Sequence, residues 1–126
     1  MKFSTEILSW GADALEFLPP NDEEDNNFII IFNENAPDEL ADLAILHPIT
    51  ELTADPVVGD TVVICGKSFT ISSIGTEALH TLRTLGHCTL NFKGGPDPEM
   101  PGCIMLEGPV ELTTADIRVG GKIEIL

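Results

Sequence analysis

Hydrophobic positions along the chain fall mostly in short runs and alternations, and only one stretch keeps a helical period. Phe3, Thr5 and Ile7 alternate with polar neighbours, which predicts a first strand with one buried face. Ala12 to Phe17 has room for one or two helical turns before Pro19-Pro20 stops it. Phe28-Ile29-Ile30-Ile31-Phe32 is the longest apolar run. It suits a buried strand and falls well short of the roughly 20 residues a membrane-spanning helix needs. Pro37 suits the first position of a helix running to Asp42, whose acidic first turn favours the helix dipole. Ala44-Ile45-Leu46 then predicts a strand ending at His47, because Pro48 pushes the residue before it towards extended geometry. A histidine in that place has its base in the core and its ring projecting to a mouth or edge.

Pro56 to Asp60 reads as a turn into a strand over Thr61–Cys65, with Gly66-Lys67 as a hairpin tip and Phe69, Ile71 and Ile74 on the returning strand. Thr76–Leu85 is the convincing helix. Its Ala78, Leu79, Leu82 and Leu85 share one face, and Gly86 stands where a left-handed cap is wanted. His80 lies nearly opposite that face, so its ring is expected in solvent. His87 opens a strand to Phe92, Lys93 to Pro101 forms a loop, and Cys103–Leu106 and Lys122–Leu126 are the last strands. Val58–Ile64 and Val119–Ile125 echo one another as two similar turns feeding strands, not as a repeat. The prediction is a mainly β fold, a small closed or rolled β-barrel with one or two short helices, forming a single domain over residues 1–126. The terminal strands are expected to close it.

Charge narrows the function. The net charge is −15 with six basic residues, too few for a stripe that tracks phosphates, so nucleic acid is excluded as a partner. The same field repels anionic lipid, and no membrane insertion is expected. It would speed encounter with a protein bearing a basic patch. Asn21 to Asn27 holds four of the acids and no large apolar side chain, and is expected to be a solvated loop. Three cysteines, an odd number with no Cys-x-x-Cys, argue against a disulfide framework and a zinc knuckle. Cys65, Cys88 and Cys103 read as reduced, apolar thiols of a cytoplasmic protein. Met1-Lys2-Phe3 leads into alternating residues, unlike the apolar region of a signal peptide.

Phosphate loops are missing: Gly94-Gly95 and Gly120-Gly121 lack the Lys-Ser/Thr ending, and no nucleotide or other cofactor is implied. No His-x-His or His-x-x-x-His spacing favours a metal. What remains is His47 with His87, one closing a strand and the other opening one. A neutral imidazole is a competent nucleophile towards phosphorus, and its phosphoramidate passes the group on readily. Such transfer needs an in-line approach and donors around the phosphoryl oxygens, not a nucleotide site. Lying just after a helix end, whose carbonyls favour an imidazolium, His87 is the candidate for such a donor if the sheet sets it beside His47. The residues also admit a non-catalytic binding or regulatory module in which His47 caps the barrel, and a small metal-dependent enzyme.

Ala36-Pro37 with its acidic helix, Ile45-Leu46-His47, Gly59-Asp60, Ile74-Gly75, Leu82-Arg83-Thr84-Leu85-Gly86-His87, Leu90-Asn91-Phe92, Met100-Pro101-Gly102 and Glu107-Gly108-Pro109-Val110 occur in this order. The set resembles the glucitol/sorbitol-specific IIA component of the bacterial phosphoenolpyruvate-dependent sugar phosphotransferase system, from about Phe28 to the C-terminus. That resemblance implies a compact, mostly β cytoplasmic phosphoryl carrier. It implies a donor, the phosphocarrier protein HPr, and acceptors in the IIB and IIC components of a sugar permease. His47 matches the histidine taken to be phosphorylated, and His87 a second histidine of the pattern. The acidic insert Asn21 to Asn27 departs from that pattern.

Overall fold

The computed structural model describes residues 1–20 and 27–126, so most of the expected acidic loop lies outside the described residues. The strands are β1 Phe3–Glu6, β2 Ser9–Trp10, β3 Phe28–Asn33, β4 Ile45–His47, β5 Thr61–Ile64, β6 Lys67–Ile74, β7 Cys88–Asn91, β8 Cys103–Glu107 and β9 Lys122–Ile125. Two short helices, α1 Asp38–Ala41 and α2 Ala78–Leu85, and one 3-10 turn at Thr114–Asp116 complete the described elements.

All nine strands form one sheet in the order β1-β9-β5-β6-β8-β7-β3-β4-β2. Its two ends, β1 and β2, are halves of a single N-terminal segment. Ile7 N–H bonds Gly121 O at 2.8 Å on the β9 side, and Leu8 N–H bonds Leu46 O at 2.9 Å on the β4 side. The sheet therefore rolls round until both edges meet in one bent strand, which removes the open edges that invite aggregation. The expected barrel-like roll closed by the terminal strands is what the chain forms. Six of its eight pairings are antiparallel, but β3 with β4 and β7 with β8 are parallel and need crossovers. Helix α1 belongs to the first of these crossovers.

Alternation fills the interior. Ile29 and Ile31 of β3, Ile45 of β4, Val62 and Ile64 of β5, Phe69 and Ile71 of β6, Leu90 of β7 and Ile123 and Ile125 of β9 are all buried together. Helix α2 lays Ala78 and Leu82 on this core, but Leu85 stays 44 % exposed and lies outside the stripe expected of it. At this last position the helix is already leaving the sheet through its cap. Ala12 to Phe17 forms turns rather than a helix: Ala14 N–H bonds Gly11 O and Glu16 N–H bonds Asp13 O, spacings of three residues. Asp13 N–H is meanwhile taken by Asp42 O across the fold. The β5–β6 hairpin turns at Cys65-Gly66, one residue before the expected tip, with φ of 50° and 86°. Positive φ at both centres is the two-residue turn whose twist suits a hairpin.

Candidate active site

The site is built by the parallel pairing of β3 and β4. Its register sets Ile31 beside Ile45, Phe32 beside Leu46 and Asn33 beside His47. Side chains alternate across a strand, so Ile31, Asn33, Ile45 and His47 share the inward face while Phe32 and Leu46 point outward. Backbone bonds lock the strand ends: Glu34 N–H donates to His47 O at 2.7 Å, and Ala36 N–H to Asn33 O at 3.0 Å.

His47 is completely buried. The expected projection to a mouth or edge is corrected by parity: two residues beyond core Ile45, His47 must take the same inward face. Its ring stands edge-on to core Phe3, with centroids 5.7 Å apart and planes at 89°. Nδ1 lies 2.7 Å from Pro48 O and Nε2 lies 2.8 Å from Gly86 O. Carbonyls only accept, so a ring with two N–H groups satisfies both, whereas a neutral ring bonds one and turns its lone pair towards the other. Either way, no ring nitrogen faces solvent.

The Gly86 carbonyl reaches His47 because α2 ends in a left-handed cap. Gly86 has φ 63° and ψ 22°, and the N–H groups of Gly86 and His87 bond Leu82 O and Thr81 O. A Cβ on Gly86 would collide with Asn33 Oδ1 and come within 2.8 Å of His47 Cε1. Asn33, Gly86 and His47 thus meet at one point. Asn33 is only 7 % exposed, and its Oδ1 finds no hydrogen-bond partner among the described residues. An orphaned buried acceptor costs about 1–3 kcal/mol.

His87 goes elsewhere. Its ring stacks on Phe32 with centroids 4.6 Å apart and planes at 20°, on the outward side of β3. The two rings are thus held by different partners, His87 by outward-facing Phe32 and His47 by the Pro48 and Gly86 carbonyls on the inward side. The helix end does not favour an imidazolium here: the backbone N–H groups of the cap take the Leu82 and Thr81 carbonyls, and burial pushes the His87 imidazole below its usual range. His80 is exposed on α2, as expected. The cysteines are free and buried, and desolvation pushes all three thiols up, Cys88 to about 12. Such thiols are poor nucleophiles. No group of three His, Cys, Asp or Glu side chains suited to a metal occurs among the described residues.

A groove of about 380 Å³ lined by Phe28, Ile30, Thr89, Asn91 and Met100 lies on the outward side of β3 and β7, and His47 does not line it.

Residues 2–124 match the family described as "PTS system glucitol/sorbitol-specific IIA component". The chain belongs to that family. It is 31 % identical over 108 residues to the PTS system glucitol/sorbitol-specific EIIA components of Escherichia coli (strain K12) and Shigella flexneri, covering 86 % of this chain and 83 % of each relative. The crystal structure of a PTS system IIA component from Enterococcus faecalis V583 shares the fold, with a TM-score of 0.78 over 98 % of both chains at 24 % identity. The chain is accordingly a phosphotransferase-system protein, a phosphoryl carrier in sugar uptake that works through a phosphohistidine. Among the described residues no helix is long and apolar enough to cross a membrane.

Sequence reasoning missed Asn33, Gly86 O and Phe3 as neighbours of the histidine. Asn33 carried a signal: it is the polar residue that continues the inward parity of Ile29 and Ile31 at the end of the apolar run.

Proposed function

We propose that His47 is the residue that carries the phosphoryl group, received in the cytoplasm from phospho-HPr and passed to a IIB component that serves, with its IIC partner, a hexitol permease. The observation that carries this reading is the orientation of the ring. Among the three histidines, His47 alone has a backbone carbonyl within hydrogen-bond distance of each ring nitrogen, so whichever nitrogen attacks, the N–H of the other can donate to a carbonyl that fixes the ring. In the transfer, a lone pair on one ring nitrogen forms the new N–P bond. The donor's N–P bond breaks, and its electron pair returns to the donor's imidazole. Each ring keeps the proton on its other nitrogen, so the exchange is balanced without an external base.

Burial means the transfer needs an opening step. One of the two carbonyl-bearing segments, Pro48–Thr50 or the α2–β7 turn, withdraws before phosphorus can approach. Each has an exposed apolar side chain on or beside it, Ile49 at 67 % on the first and Leu85 at 44 % at the end of α2 next to the second. A docking protein that covers them would gain contact while it moves them. Five of the six basic residues are already paired with acids, through Lys2–Asp60, Lys67–Asp116, Arg83–Asp55, Lys93–Glu99 and Lys122–Glu6. The surplus acid leaves a negative field that steers a donor with a basic rim.

The burial of His47 also favours a second reading, in which half-buried His87, whose desolvation lowers its pKa and so favours the neutral ring, accepts the phosphate and His47 is structural. Incubation with enzyme I, HPr and labelled phosphoenolpyruvate, followed by mass-spectrometric site mapping, separates the two. The first reading expects acid-labile, base-stable phosphate on His47 and none on His47→Gln. Label on His87 would replace it with the second.

A further inference from the structure

The orphaned side-chain oxygen of Asn33 stands beside the one ring edge that carries both nucleophilic nitrogens. Cε1 of His47 lies between Nδ1 and Nε2, and Cε1 and Asn33 Oδ1 converge on the same point above Gly86. A phosphoryl group on Nε2, the nitrogen that faces the Gly86 carbonyl, therefore lies near the end of the Asn33 side chain. A carboxamide is nearly symmetrical in shape, and a half-turn about its last bond exchanges the oxygen for an NH₂ group with two donors. In the resting protein, no such donor is needed. In the phosphorylated protein, anionic oxygens would arrive where Oδ1 now has no partner.

We infer that Asn33 is a positioning residue for the phosphoryl group on His47, its carboxamide turning to donate N–H to the phosphoryl oxygens as the Gly86 carbonyl withdraws. The inference rests on His47 as the phosphorylated residue. Three features carry it: the strand register that sets Asn33 beside His47, burial that excludes competing water, and an acceptor left unsatisfied in the unphosphorylated chain. An apolar side chain of the same size would fill the space without that penalty, so packing alone does not call for an asparagine here. Asn33 takes no proton and forms no bond to phosphorus. It holds oxygens that become more negative as the donor's N–P bond breaks, which is where an aimed donor in a dry site is most effective.

The test uses the full chain with phospho-HPr, and it begins by mapping the phosphate by mass spectrometry in the wild type. Label absent from His47 would defeat the underlying reading, and the inference with it. With label on His47, Asn33→Leu is compared for thermal midpoint, single-turnover transfer rate, phosphohistidine lifetime and the phosphorus chemical shift. The expected result is opposed effects: a thermal midpoint at or above wild type, transfer slowed about tenfold or more, and a displaced phosphorus resonance. Asn33→Asp keeps the shape and sets a carboxylate against the phosphoryl oxygens, so it should transfer more slowly than Asn33→Leu. Rates and resonance equal to wild type in either folded variant would overturn the inference. Stability and transfer falling together in Asn33→Leu, with the phosphorus resonance unmoved, would overturn it equally and make Asn33 a structural residue.

Discussion

Substituting Gly86 by alanine probes the whole junction at once. The residue sits at φ 63°, a left-handed conformation that costs an L-residue about 1–2 kcal/mol. The added methyl also lies 2.6 Å from Asn33 Cγ and 2.8 Å from His47 Cε1, closer than real Cβ contacts come. Forcing a methylene into a packed core typically costs about 1–3 kcal/mol. The two effects act on different coordinates, backbone torsion and side-chain packing, so Gly86→Ala should lose about 2–5 kcal/mol in urea-induced unfolding. Asn33→Ala removes the atoms in the closest clash but leaves the torsional strain. The double variant should therefore be more stable than the sum of the two single effects predicts, by about 1 kcal/mol or more, a coupling expected only between residues in contact. A single-variant loss below about 1 kcal/mol, or a strictly additive double variant, would refute the convergence of Asn33, Gly86 and His47.

Other outcomes follow from the same structure. His47→Gln, which the strand-end position alone suggests should fold normally, should instead lose about 1–3 kcal/mol because a buried carbonyl loses its donor, and it should accept no label from phospho-HPr; unchanged urea stability would refute the two-carbonyl clamp. His80→Asn should shift stability by no more than about 0.5 kcal/mol and leave transfer intact, since His80 is exposed on α2; a large loss of transfer would reveal a docking role. Lys67 and the Thr113 N–H hold the Asp116 carboxyl below its usual range, so its stabilisation is complete above the unfolded value near 3.9 and lost as pH falls through the lower folded value. Urea midpoints below about pH 4 should consequently fall less steeply for Asp116→Asn than for wild type, and parallel curves would count against that ion pair. Transfer at sub-saturating phospho-HPr should slow as salt rises while the rate within the complex holds, and a salt-independent second-order rate would reduce the acidic field to a solubility feature.

Much of the fold was legible because strand alternation and turn chemistry are local. The run Phe28–Phe32, the Cys65-Gly66 region and the Gly86 cap each announce themselves within a few residues. Leu85 was misplaced because periodicity counts a residue as part of the stripe even where the helix is leaving the surface it packs on. The hairpin tip was set one residue late because a cysteine with positive φ carries no turn signal, and only the pairing of Ile64 with Lys67 fixes it. At the candidate site, His47 stands out in the sequence and its surroundings do not. Burial of His47 depends on parity with Ile45 and on which strand lies alongside, and the second of these is a long-range fact.

That long-range fact is the parallel crossover. An antiparallel β3–β4 hairpin would set the end of β3 against Ile45 at the start of β4, two residues from His47. The crossover through α1 makes the two strands finish together, so Asn33 and His47 end up side by side and both strand exits open towards the α2 cap. A slip of one residue would turn His47 out to solvent and Leu46 into the core in its place. Register is held against that slip by Ile31 and Ile45 on the inward face and by the Glu34–His47 backbone bond at the strand ends. The same choice that buries His47 therefore also orients its ring, through carbonyls no side-chain mutation can remove. If His47 carries the phosphoryl group, access requires moving backbone at Pro48–Thr50 or at the α2–β7 turn, the task proposed for a docking partner. A phosphohistidine shielded in this way would resist hydrolysis between donor and acceptor, which is what a carrier, as distinct from a hydrolase, requires.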